Sequence, residues 1–196
     1  MTVELPLTLV SNVKRRLANA AVVTASPMSG SQQVQSWGGI WWEFEIEFTM
    51  HTAAEGRMMS AFWSKIGGRL GTFLFRDPSI QQMSLGTPLV NGASQTGKSL
   101  LTKGWTANKT VLKAGDFIQL GAVGTTRLHH VTADAVSGAT GLATLSIEPA
   151  LRYSPANSAA LVVDAPAALL RLNDDPWTAI TQAARHSFSV TAREAL

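Results

Sequence analysis

Cysteine is absent from this chain of 196 residues, which excludes a disulfide framework, a thiolate nucleophile and any metal site built on sulfur. Charge is scarce as well. Only 15% of residues are Asp, Glu, Lys or Arg, against about 25% in an ordinary soluble domain. With 45% hydrophobic residues, so poorly charged a surface implies cover by other protein. No stretch approaches membrane-spanning length, and the start Met1-Thr2-Val3-Glu4-Leu5-Pro6 lacks the basic and apolar regions of a secretory signal. No membrane partner is expected.

Catalytic constellations are missing too. His51, His129, His130 and His186 show no H-E-x-x-H or other ligand spacing and have no acidic cluster beside them. His129 and His130 fall in one predicted strand, so their rings should point to opposite faces, a poor arrangement for one metal. A G-x-S-x-G nucleophile elbow is also absent. No catalytic residue, metal or cofactor is expected.

One chemical motif is present in full. Gly92-Ala93-Ser94-Gln95-Thr96-Gly97-Lys98-Ser99 satisfies G-x-x-x-x-G-K-[ST], in which backbone amides cradle phosphates and the Lys reaches the β- and γ-phosphates. That mechanism needs a buried strand before the loop and a helix behind it. Upstream, Gly86 and Pro88 interrupt the apolar run; downstream, Gly104, Thr106, Asn108 and Thr110 are poor helix formers. The segment therefore reads as strand, turn, strand. A Walker B lookalike, Ala160-Leu161-Val162-Val163-Asp164, runs directly into Ala165-Pro166. The expectation is a Gly-rich β-turn with a solvated Lys98; a nucleotide-binding enzyme is the less favoured alternative.

The chain organises in three parts. In the first, a strand is predicted over 16–24, then a loop at Ser26–Ser31. Next comes Trp42-Glu43-Phe44-Glu45-Ile46-Glu47-Phe48, where strict alternation turns Trp42, Phe44, Ile46 and Phe48 to a core and the three glutamates outward. Those glutamates read as a solvated or interface row. Thr52-Ala53-Ala54-Glu55 is a capping box, and Met58, Met59, Phe62, Trp63 and Ile66 recur at helical spacing until Gly67-Gly68. That stripe reads as core or subunit contact. A strand at Gly71–Arg76 ends at Asp77-Pro78. The second part is β-rich without a credible helix: strands are expected over 109–112, 117–120, 127–133, 143–147 and 160–163. In the third, strand signals return at 168–172 and 186–193.

The fold class expected is α+β, mostly β: a β-sheet layer with one helix, plus an inserted small β-barrel or β-sandwich. Residues 1–85 together with 167–196 form the first domain and 86–166 the inserted one.

The order of these segments resembles a known family. Ser26–Trp37 leading into the aromatic strand, Gly67–Pro78, Val90–Gly97 with Gly104-Trp105 and Ala114-Gly115-Asp116, Gly141–Pro149 and Phe188–Glu194 together resemble the tail-tip proteins of long-tailed bacteriophages and prophages. The role the resemblance implies is that of the distal tail protein, a hexameric ring joining the tail tube to the baseplate hub, with DNA passing through its lumen. It further implies a non-enzymatic virion protein of the tail tip, assembled in the host cytoplasm without a cofactor. Its partners would be further copies of itself, the tail tube protein, the baseplate hub protein and the tape-measure protein. Another minor subunit of the tail or tube end is the nearest alternative.

Candidate ring contacts are Trp37 and Trp41, since the phase that buries Trp42 puts Trp41 on the opposite face, together with Glu43, Glu45 and Glu47. A second core layer is the other reading of the two tryptophans. The single basic run, Lys14-Arg15-Arg16, reads as a subunit or solvent contact. With net charge +3 and no aromatic residues interleaved with that run, no specific nucleic-acid binding is expected. A carbohydrate-binding role for 86–166 rests on fold analogy alone, with Trp105 and Tyr153 its only large aromatics with a polar handle.

Overall fold

The computed structural model describes residues 3–122, 124–176 and 186–195. In chain order its elements are β1 (Val3–Glu4), β2 (Val10–Ala25), β3 (Gln32–Met50), α1 (Ala53–Ile66), β4 (Phe73–Arg76), β5 (Gly86–Val90), β6 (Gly97–Trp105), β7 (Thr110–Leu112), β8 (Phe117–Leu120), β9 (Arg127–Val131), β10 (Ala135–Val136), β11 (Ala143–Leu151), β12 (Ala167–Leu172) and β13 (His186–Glu194). Among the described residues the protein is mostly β, with one α-helix and a curled half-barrel sheet, which is the expected class.

A six-stranded sheet in the order β1-β4-β12-β13-β3-β2 takes its strands from both ends of the chain. A five-stranded sheet, β5-β6-β11-β9-β8, and the two-stranded ribbon β10-β7 come from the stretch between. The alternation in β3 does what its period demands: Trp42, Phe44, Ile46, Phe48 and Met50 are all buried. Helix α1 packs on the Phe48 end of this row, where the Trp63 ring meets Phe48 edge-on. Thr52 accepts from the Glu55 amide while the Glu55 carboxylate takes the Thr52 amide, and Gly67 ends the helix at φ 71°, a left-handed turn that glycine adopts without Cβ strain. Met59, Phe62, Trp63 and Ile66 face the sheet. Met58, expected in the same stripe, is exposed, because it lies one position off the i, i+3, i+4, i+7 face.

The long hairpin departs from expectation. β2 begins at Val10 rather than Arg16, and β3 at Gln32, ten residues ahead of its alternating segment. The register changes between Asn19↔Ile40 and Ala21↔Ser36, so Trp37, Gly38 and Gly39 bulge opposite Ala20. Gly38 sits at φ 74°, the conformation such a bulge requires.

In the middle stretch, the residues expected as a strand over 160–163 form only isolated bridges, Leu89↔Ala160 and Gln119↔Val162. The reason is their position. They bond to β5 on one side and β8 on the other, so they link the two edges of a curled sheet rather than extend one.

The two sheets share a seam. Phe117 and Leu128 belong to the same apolar cluster as Trp42, Phe44 and Phe75, and the Trp42 ring meets Phe117 edge-on at 5.5 Å. Polar ties flank this contact. The Gln82 side chain takes the Phe117 amide and donates to the Phe117 and Val163 carbonyls, and Gln119 Oε1 accepts from the Ala167 amide at 2.8 Å.

Candidate interaction surface

The outward face of the six-stranded sheet carries the acidic row, and the hairpin register decides its chemistry. Arg16 lies opposite Glu43 and Lys14 opposite Glu45. Lys14 Nζ is 3.1 Å from Glu45 and 3.0 Å from Glu47, and Arg16 is 2.5 Å from Glu43. Neither run is therefore a free charged surface. Lys14 and Arg16 stay largely exposed, as a solvent contact would be, and each also pairs with the acidic row, since antiparallel pairing places the two runs side by side. Arg15 points to the other face, pairs with buried Asp77 and lies over the Phe117 ring at 4.7 Å. The Trp41 indole N–H, with Arg16 second, holds the Glu43 carboxyl below the ordinary carboxylate value. Lys14 in turn lowers Glu47, and Glu47 and Glu45 raise Lys14.

Trp41 is half-buried and donates to Glu43 Oε1 at 3.0 Å. Trp37 is 69% exposed at the bulge. The two do not form one patch: Trp41 is tied into the charged row, whereas Trp37 stands on the distal hairpin.

That distal hairpin is a feature the sequence pattern did not single out. β13 accompanies β3 only as far as Glu43, so residues 18–38 project as a two-stranded arm. Both of its edges lack a strand partner among the described residues. Its paired length of about seven residues per strand reaches about 23 Å. Val22, Val23, Val34 and Trp37 are each more than half exposed, and Met28 at the tip almost wholly so. No Asp, Glu, Lys or Arg occurs between Arg16 and Glu43. Natural edge strands are usually protected by charge, proline or cover, and along its strands this arm has neither charge nor proline. The signal was available as the longest run without charge around the hairpin turn.

The Gly92–Ser99 segment connects β5 to β6, and Gly97 opens a strand. No helix N-terminus stands behind it. Gln95 fills the loop instead: its Oε1 accepts from the Leu101 amide at 2.6 Å and its Nε2 donates to the Asn91 and Gly92 carbonyls. Lys98 is exposed, as expected, and also forms an ion pair with Glu148 on the neighbouring strand β11. The Walker B lookalike Asp164 accepts from the Ser84 amide.

Among the described residues no group of three or more His, Asp or Glu is placed to hold a metal ion. His129 and His130 point apart: His129 Nδ1 meets the Pro149 carbonyl at 2.8 Å, while the His130 ring packs on Phe117 at 4.7 Å. The His51 amide donates to Glu55 at 2.6 Å, and the His186 side chain lies outside the described residues. Trp105 is buried and donates to Thr102 Oγ1, which removes it from any sugar platform; Tyr153 is 75% exposed.

No protein-family model matches the sequence, and no curated protein matches it.

Proposed function

We propose that this chain is a structural subunit of a bacteriophage tail tip, a distal tail protein that closes into a ring between tail tube and baseplate hub. The observation that carries the reading is the projecting arm. It exposes valine and tryptophan side chains, has open hydrogen-bonding edges and bears no charge over residues 17–42. A hairpin of this kind is stable in water when a neighbour covers it. Repeated head-to-tail contacts that close under cyclic symmetry would do so for every copy. The resemblance in segment order supplies the biological setting. The pairing of Lys14 and Arg16 with the glutamate row agrees with a subunit that lets a polyanion pass without gripping it.

The test combines light scattering with negative-stain microscopy, on the protein alone and mixed with the tail-tube protein of the same genome. Rings are expected in at least one condition. Replacing Val23 and Trp37 by Asp should abolish them while changing monomer stability by no more than about 0.5 kcal/mol, as both sites are exposed. A wild-type monomer in both conditions would overturn the proposal.

A further inference from the structure

We infer that the cavity between the ends of β8, β9 and β11 is a binding site for a small organic carboxylate with a compact apolar body. The cavity measures about 410 Å³, within the size range of small-ligand sites. Leu120, Leu151, Pro155 and Ala159 form its apolar wall, and Arg127, Arg152, His129 and Tyr153 supply its polar groups. No Asp or Glu lines it. Neither arginine forms an ion pair among the described residues.

Two arginines point to an anionic guest. Arg127 is held beside the cavity by donation through Nη1 to the Thr126 and Ala195 carbonyls. Arg152 donates through Nη2 to the Ile40 carbonyl, which fixes the side chain while leaving further N–H groups of its fork for a planar carboxylate. His129 adds no charge. The Pro149 carbonyl can only accept, so Nδ1 carries the proton, and burial holds the ring's pKa below the ordinary imidazole value. It therefore offers Nε2 as an acceptor, while the positive charge of the cavity rests on the two arginines. Glu194 interacts electrostatically with both arginines without a hydrogen bond to either, does not line the cavity, and has its carboxyl pKa raised by burial. A small inorganic anion would leave the apolar wall uncovered; a neutral apolar molecule would leave the guanidinium donors without partners.

This inference does not rest on the assembly reading, because the cavity belongs to the middle stretch of the chain. The experiment is a titration of the labelled full chain followed by amide NMR, with benzoate, its neutral isostere benzamide, and inorganic phosphate. Benzoate is expected to cause saturable shifts centred on Thr125, Arg127 and Tyr153, with benzamide and phosphate each at least about tenfold weaker. Arg152→Gln should erase the preference for benzoate over benzamide. Ala156→Phe, at an exposed position on the rim, should block both while leaving the spectrum otherwise folded. Equal binding of benzoate and benzamide, phosphate binding as tightly as benzoate, an unchanged preference in Arg152→Gln, or no saturable shift with millimolar benzoate would each overturn the assignment.

Discussion

The Trp42 indole Nε1 donates to the Leu128 carbonyl oxygen at 2.9 Å inside the seam between the two sheets. Both residues are almost wholly buried, and they lie 86 positions apart in sequence. One side chain thus packs the aromatic core of the outer strands and satisfies a backbone acceptor of the middle stretch. Trp42→Phe should cost about 1–3 kcal/mol through the lost donor, and Trp42→Ala about 3–5 kcal/mol through the cavity. Urea denaturation would measure both. A Trp42→Phe protein as stable as the wild type would mean that water replaces the indole.

Helix α1 offers a local check. Thr52→Ala removes one half of the capping box and should cost about 1 kcal/mol. Gly67→Ala forces a Cβ into a residue at φ 71° and should cost a similar amount, about 1 kcal/mol. Thermal melts of the two variants and their combination should show near-additive losses, since the sites lie at opposite helix ends.

What the sequence made legible follows from the range of each interaction. The alternation of Trp42 to Phe48, the Thr52–Glu55 box and the Gly67 stop are all short-range signals, and each element appears where its pattern places it. The arm was hidden because Gln32 to Ile40 has no period of two, and its bulge at Gly38 breaks what phase there is. The pairing of Lys14 and Arg16 with the glutamate row depends on hairpin register, which residue composition does not encode. Likewise, the cavity brings Arg152, from the loop after β11, to Arg127 and His129 of β9, and no spacing rule joins the loop to that strand.

Glu194 makes a pH prediction. It is 2% exposed, and burial raises its pKa above the ordinary value of 4.5 despite the opposing pull of Arg127, Arg152 and the Trp42 and Leu128 backbone. The native state then holds a proton that the unfolded state releases. Stability is therefore lost as pH rises from the ordinary carboxylate pKa through the folded one. Glu194→Gln removes that loss. Its stability relative to wild type should rise between pH 4 and pH 7, as followed by urea midpoints. A constant difference would show that the carboxylate is ionised in both states.

Lys98→Ala is expected to leave nucleotide behaviour unchanged. The loop is filled by Gln95, and Lys98 is taken by Glu148. Calorimetry with Mg-ATP and Mg-GTP is expected to show no binding to either protein, with a stability change below about 1 kcal/mol from the lost surface pair. Mg²⁺-dependent hydrolysis by the wild type that vanishes in the variant would overturn this.

With Lys14 and Arg16 each held by a glutamate of the row, duplex DNA should find no phosphate clamp there. A gel-shift titration at physiological salt should show no complex at micromolar protein. Releasing the cations by changing Glu43, Glu45 and Glu47 to Gln should produce weak, salt-sensitive retardation. Sub-micromolar, sequence-dependent binding by the wild type would contradict this expectation.

The pairing of β4 with β12 has a wider meaning. These antiparallel neighbours match Arg76 to Ala167, and the Ser84 amide bonds to Asp164 at the points where the chain leaves and rejoins them. In topological terms they are an ordinary hairpin whose turn has been replaced by a whole folded unit. Lengthening a turn of a few residues to the roughly ninety between Arg76 and Ala167 adds only about 2–3 kcal/mol of closure entropy for a flexible chain, and less when the insert folds by itself. On entropic grounds the hairpin would therefore accept a different or larger guest unit, provided that it still shields the Trp42 side of the sheet.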